Sequence, residues 1–397
     1  MVELAGTAKV PRRSAIDATA KRVQHQAAPS GLFSPLEAVD ASQWRALADR
    51  AIEPNGYYLP DWELAVNASA PGRTGADALE ARRGAALIGL MPVVSLSRAY
   101  KIPLPALVSA QPYGTLCTPL LDRASAEDAA AQIMQAARDA GARALVLREV
   151  SLDGRAIKAF NAALRGDGIR LRTLRWHLRA SLNATRDADA LLHDALSAKK
   201  LKELRRQRHR LAEHGAVACE VARTRADVGA AIKTFLTLEA SGWKGRRGTA
   251  LAQVAGDATF IQRAVIALAD TANCEIITLR AGNTPVASGI VLRHQSRAFF
   301  FKLGVDERFA KYSPGVQLTV ELTRHLCADP LVASADSTAS PDHPMINPIW
   351  RGRFAIGDVL IPLRPRDPVV AAVHAALLAR QSALDWARWG VHAVRRL

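Results

Sequence analysis

Apolar and polar positions along the 397-residue chain alternate between two periods, and the switches lay out an α/β protein with a mixed sheet. Spacing of three and four residues covers 34–50 and then 60–70, where Leu59-Pro60-Asp61-Trp62 opens a helix carrying Leu64 and Val66. Alternation predicts strands over 77–83 and 85–96, joined by a turn at Arg82-Arg83-Gly84. A Pro-rich stretch (101–122) precedes a helix at 126–140, the apolar strand Ala144 to Arg148, a helix at 154–167 and a strand at 170–182. The second half begins with a helix over 195–214, a strand at 216–222 and helices at 226–241 and 257–271 around a loop at 242–255. Strands follow at 274–280, 285–294 and 297–303, then a helix opening at Ser313-Pro314 and running to about 328. A short strand at 331–335 and another near 354–362 complete it. Both halves place helices before a hairpin and a strand–helix–strand passage after it. Arg83–Val93 and Arg280–Val291 share a pattern, which hints at a duplicated unit.

These readings divide the chain into a disordered basic arm (1–32), an N-terminal unit (33–182), a C-terminal unit (183–365) and a terminal amphipathic helix (366–397). The last carries Val369, Val373, Leu377 and Leu384, then Trp386 and Trp389, and ends in Arg395-Arg396. Arg380, Asp385 and Arg388 interrupt it, so it packs on the domain, on a second subunit or at the inner-membrane surface, and does not span. The arm lacks an apolar core segment of the secretory kind, which directs the expectation to the cytoplasm. A net charge of +16 favours anionic partners: nucleotides, coenzyme A, nucleic acid or an acidic membrane. Between Lys199 and Arg210 the cations are dense but no aromatic residue is interleaved, so a solvated face meeting acidic substrate or phosphates is expected there, not a nucleic-acid module. Four scattered cysteines give neither a disulfide framework nor zinc-ligand spacing, and no metal is expected. GxSxG, HExxH and Walker A patterns are missing, which removes support for hydrolase, zinc-enzyme and ATPase readings.

The chemistry concentrates in the second half. Phe299 to Leu303 form an aromatic strand that ends on Lys302 and Gly304, and Asp306-Glu307 lead into Tyr312-Ser313-Pro314-Gly315. Ser313 as N-cap and Pro314 at the first helical position mark a helix start whose free N–H groups suit an anion such as a pyrophosphate. Strict alternation puts Phe299, Phe301 and Leu303 on one face, with Phe300 and Lys302 on the other. Lys302 then needs an anion, either a ligand or the nearby Asp306 and Glu307. On the helix over 226–241, Val228, Ile232, Phe235 and Glu239 share one stripe. Desolvation and the negative helix end would raise the pKa of Glu239, as a general base requires; a glutamate turning into water before Gly242 is the alternative. The glycine-rich run Ser241 to Gly248 reads as a flexible cover, with Trp243, Lys244 and Arg246 against the substrate. Asp336, at the end of a strand, orients an acceptor amine or caps the next turn.

Thr237-Leu238-Glu239-Ala240-Ser241-Gly242-Trp243-Lys244-Gly245-Arg246-Arg247-Gly248-Thr249-Ala250-Leu251 resembles the signature of CelD/BcsL-type acetyltransferases in the GNAT superfamily. Phe301-Lys302-Leu303-Gly304, Asp306-Glu307, Tyr312-Ser313-Pro314-Gly315 and the basic Leu204-Arg205-Arg206 fit the same family. The resemblance covers about 190–350 well and the first half more loosely. It implies tandem GNAT-like units similar to the FemABX peptidyltransferases, acyl-CoA bound at the second, and a link to cellulose or exopolysaccharide production. Lys311, Tyr312, Ser313, Pro314 and Gly315 stand where the family's Gln/Arg-x-x-Gly-x-Gly/Ala pyrophosphate loop would lie. The expectation is a metal-free acyltransferase moving acetyl from acetyl-CoA to an amine or hydroxyl of a sugar or envelope metabolite. Glu239 would be the base, Asp336 or Asp306 would position the acceptor, and Lys302 and Trp243 would shape the pocket. Two alternatives stay open: a FemX-like transferase whose basic helix grips aminoacyl-tRNA, and a non-catalytic scaffold of polysaccharide synthesis.

Overall fold

The computed structural model describes residues 31–394, with side chains to 386 except that of Asp167. The arm expected over 1–32 thus lies outside the described residues except for its last two, and Leu32 already belongs to a strand. Trp389, Arg388 and Arg395-Arg396 also fall outside what is described in side-chain detail.

The first half comprises β1 (Leu32–Pro35), α1 (Ala41–Asp49), α2 (Pro60–Ser69), β2 (Asp77–Arg83), β3 (Ala86–Ser95), α3 (Leu96–Tyr100), β4 (Ala106–Ser109), β5 (Leu120–Leu121), α4 (Ala126–Asp139), β6 (Ala144–Ser151), α5 (Arg155–Ala163) and β7 (Arg172–Asn183). The second comprises α6 (Ala188–Ala195), α7 (Ala198–Leu211), β8 (Val217–Ala222), α8 (Arg225–Ser241), α9 (Trp243–Arg246), α10 (Ala255–Asp270), β9 (Cys274–Ala281), β10 (Thr284–His294), β11 (Arg297–Val305), α11 (Pro314–Cys327), β12 (Ser334–Asp336), β13 (Gly352–Pro362) and α12 (Pro368–Val394). The Pro-rich stretch holds β4 and β5, with α3 just before it, and the basic helix expected over 195–214 is α7, preceded by the separate helix α6. Their break falls at Ser197, whose Oγ accepts from Lys200 N at 3.2 Å and caps α7. No described helix is long and apolar enough to cross a membrane.

All strands join one 13-stranded mixed sheet, ordered β1-β2-β3-β4-β6-β13-β7-β12-β11-β10-β9-β8 with β5 beside β3. Three antiparallel pairings followed by one parallel step occur twice: β1 to β4 and then β6, β8 to β11 and then β12. The boundary read at 182/183 is crossed in both directions. β7, from the first half, pairs with β12, while β13, from the second, pairs with β6 and β7. The halves have exchanged their last strands.

Helices cover both faces. One core is shared by the halves, with Trp44, Tyr57 and Trp62 packed with Phe235, Phe260 and Phe299, all essentially inaccessible to solvent. Gly256 allows the start of α10 to approach α2 closely, since a Cβ there would fall on Ser69 O. On the opposite face α4 and α5 cover the first half, and α6, α7 and α11 cover the second. The centre of the sheet is therefore a joint product of both sequences, and the chemistry sits beside it.

Candidate active site

The parallel step between β11 and β12 builds the site. The two strands pair only over Arg297–Phe299 and Ser334–Asp336. Beyond that point Phe300–Val305 has no strand on this side, and a cleft of about 360 Å³ opens against it. Its walls include Phe300 to Leu303 from β11, Trp243 and Lys244 from α9, and Ser337 to Ala339 and His343 from the chain after β12.

The register of β11 shifts here. Phe300 pairs with Val291 and Lys302 with Ile290, which leaves Phe301 as an extra residue, a β-bulge. The bulge ends the strict alternation expected from the sequence. Phe301 and Lys302 both face the α8 side with Phe299, whereas Leu303 joins Phe300 on the other face. Two residues later Gly304 removes the Cβ that would press on Glu239 N at 3.0 Å, so α8 lies close against the strand. Glu239 is thereby delivered under Lys302.

Glu239 is buried and its oxygens are fully engaged. Oε1 accepts from Lys244 Nζ at 3.0 Å and Lys302 Nζ at 3.3 Å, and Oε2 from Leu251 N at 2.9 Å. Burial pushes the carboxyl up, but Lys302, Lys244 and the Leu251 N–H outweigh it and hold the group below its usual range. The sequence-based expectation of a raised pKa is therefore reversed, because two cations from other elements meet the helix end. With it goes the argument for Glu239 as a base; the carboxylate anchors two lysines at the cleft wall. Burial, opposed by Glu239, pulls the Lys302 ammonium below the usual lysine value. Its partner is Glu239, and neither Asp306 nor Glu307 pairs with it.

Lys244 stands on α9, a single turn that is tied down and is no flexible cover. Glu307 accepts from Trp243 N at 2.7 Å and pairs with Arg246 at 2.7 Å; Gln253 donates to Gly245 O and Thr249 N to Lys244 O. Trp243 and Lys244 thus line the cleft as expected, while Arg246 is turned away toward Glu307.

The other expected residues divide. Asp336 ends β12 at the base of the cleft, buried, accepting from Thr338 N at 2.8 Å and paired at 3.3 Å with the equally buried Arg179. Thr338, at φ 48°, donates from Oγ1 to Phe300 O at 2.6 Å and pins the cleft floor. Asp306 lies elsewhere: it caps the turn after β11 and is held by Arg308. The start of α11 stands beside the cleft, with Gly315 against Leu303, Val305 and Met345, but it is not the open cradle expected. Ser313 takes the left-handed conformation (φ 52°) and makes no side-chain cap, Tyr312 is buried with its hydroxyl 3.0 Å from His214 Nε2, and Pro314 and Gly315 are buried. Lys311 alone of the five is exposed.

Sequence reasoning missed three contributors. Arg179 sits mid-strand in β7, where nothing marks it as the bridge between Asp336 and Glu149. Tyr113, at φ 59°, lies 5.7 Å from Lys302 Nζ and donates to Asp257 at 2.6 Å. His343 lines the cleft, with Nδ1 accepting from Met345 N, and burial lowers its pKa. Among the described residues no group of three His, Cys, Asp or Glu could hold a metal ion.

Residues 198–341 match the family model described as an acetyltransferase (GNAT) domain. No curated protein matches the chain in sequence. Among solved structures the fold is similar to FemX (11% identity, 85% of this chain and 98% of that one, TM-score 0.55). It is similar also to the C-terminal domain of a candidate lysylphosphatidylglycerol synthetase from Agrobacterium fabrum (15% identity, 85% and 95%, TM-score 0.52) and to L-PGS from Bacillus licheniformis (13% identity, 85% and 96%, TM-score 0.51). At these identities the likeness is one of fold. The GNAT domain makes the chain an acyltransferase, with acetyl-CoA as the donor such domains take.

Proposed function

We propose that the chain transfers an acetyl or other short acyl group from its coenzyme A thioester to an amine or hydroxyl of a saccharide or envelope metabolite. The observation that carries this is the unpaired edge Phe300–Val305 facing a cleft into which Lys302 and Lys244 project from a buried carboxylate. The thioester lies along that edge, and Lys311, exposed beside the start of α11, supplies a cation for the donor's phosphates. Attack of the acceptor on the carbonyl carbon places negative charge on its oxygen, and the two ammonium groups, fixed in advance by Glu239, lower the cost of that charge. The carbon–sulfur bond then breaks, and the proton given up by the acceptor passes through water to the departing thiolate, leaving the acylated acceptor and free coenzyme A thiol. The two repeated strand patterns favour tandem GNAT-like units, and the resemblance around Thr237–Leu251 to the CelD/BcsL type favours an acceptor among exopolysaccharide precursors.

A second reading has one observation in its favour. Lys199, Lys200, Lys202, Arg205, Arg206 and Arg210 form an exposed face on α7, which suits the phosphates of an aminoacyl-tRNA. Thioester release from acetyl-CoA, run beside filter binding of charged tRNA, separates the two. Release stimulated by saccharide amines supports the first; tight, salt-sensitive tRNA binding with no release supports the second and overturns the first.

A further inference from the structure

The parallel step between β4 and β6 opens a second cleft, of about 450 Å³, in the first half. Their pairing ends at Val108 and Val146, as that of β11 and β12 ends at Phe299 and Asp336. Arg148, two residues past the last pair on β6, lines it. Its Nε donates to Ser109 O at 3.2 Å, and its guanidinium lies 5.8 Å from the centre of the Tyr100 ring. Arg380, from α12, stacks over the same ring at 4.4 Å. Among the described residues no carboxylate stands within ion-pair distance of either arginine. The acids nearby are already engaged: Asp358 by Arg175, Glu149 by Arg175 and Arg179, and Asp385, also on the cleft wall, has an interaction of its own.

A half-buried guanidinium without a counter-ion, among acids that have theirs, is left with a charge to satisfy. Arg148 and the solvent-exposed Arg380, gathered around one ring, form a fork for a carboxylate or phosphate. Trp176 stands at the rim, 61% exposed, and offers a flat wall for a sugar or base. Glu149, beside Arg148, is held at φ 46°, a conformation that costs energy and collects at working sites. Between the clefts runs the loop after β4. On one side Tyr113 faces Lys302; on the other Gly114 and Thr115 line the second cleft, and Thr115 Oγ1 donates to Thr338 O at 3.1 Å.

We propose that this second cleft seats the acceptor, and that the acceptor is anionic, its phosphate or carboxylate held by Arg148 and Arg380. The assignment rests on the acyl-transfer reading above and specifies its substrate class. Calorimetry on the full chain with glucose 1-phosphate, glucuronate and glucose tests it, beside acetyl-CoA binding to the same preparations. Binding of a charged sugar with none of glucose is expected, weakened at least about 10-fold by Arg148→Met and by the surface variant Arg380→Gln, with acetyl-CoA affinity unchanged. The charged sugar that binds identifies the phosphate or the carboxylate as the group read. Equal binding of glucose, no binding of either charged sugar, or retained binding in both variants would overturn the proposal. So would loss of acetyl-CoA binding in Arg380→Gln, which would make the cleft the donor's. Failure of the wild type to bind acetyl-CoA while it binds a charged sugar would sink the acyl-transfer reading and leave the anion site standing.

Discussion

Glu239→Gln tests the claim that this carboxylate anchors two lysines and does not act as a base. The glutamine still accepts the Leu251 N–H but brings no charge to Lys244 and Lys302. Hydrogen bonds to charged groups contribute about 1.5–3 kcal/mol each, and stripping one partner from a buried pair costs about 3–5 kcal/mol. The lysine side chains keep 24% and 22% exposure, so the released ammonium groups regain some hydration. That places the loss near the lower end, about 2–3 kcal/mol at neutral pH. The sign with pH follows from the direction of the shift. A carboxyl held below its usual 4.5 contributes stability that is complete above that value and disappears as pH falls through the folded-state pKa. Urea unfolding of both proteins should therefore show a gap that is widest near neutrality and closes in acid. A gap that stays constant with pH, or a variant as stable as wild type at neutrality, would refute the anchoring argument. A base would instead show a collapsed kcat with stability unmoved.

Lys302→Met should lower thioester release at least about 100-fold through loss of a preset cation. Its stability, read by thermal unfolding, should stay within about 1 kcal/mol because Glu239 keeps Lys244 and the Leu251 N–H. Gly245→Ala would set a Cβ on the backbone oxygen of Ala240, so α9 must shift; calorimetric melting should show a cost toward the top of the ~1–3 kcal/mol range for overpacking, with Lys244 displaced and activity reduced. Arg179→Met strips a buried partner from Asp336 and Glu149, and denaturant titration should record a loss of about 3 kcal/mol, with Arg179→Lys recovering less than half because an ammonium cannot fork to both acids.

Most helices and strands were readable because their patterns are local. Proline at the first turn fixed α2 and α11 to within a residue or two, and alternation fixed β2, β3, β9 and β10. What escaped depends on partners distant in sequence. The bulge at Phe301 exists only against β10, and it moved Lys302 to the face of Glu239. The pKa direction of Glu239 depends on lysines from α9 and β11, and local desolvation alone gave the wrong sign. Ser313 has the residue type of a cap but a left-handed backbone that prevents the bond. Arg148 carries a legible signal, since the apolar strand Ala144 to Arg148 ends on a cation as the aromatic strand at Lys302 does.

The traded strands β7 and β13 carry a consequence for how the molecule comes apart. A chain cut in the turn at 184–187 would yield two pieces, each bearing a ribbon that fits only the other. Expressed singly, each would show raw sheet edges and clump. Co-expressed, they should reassemble, and heat should melt the reconstituted pair in one step.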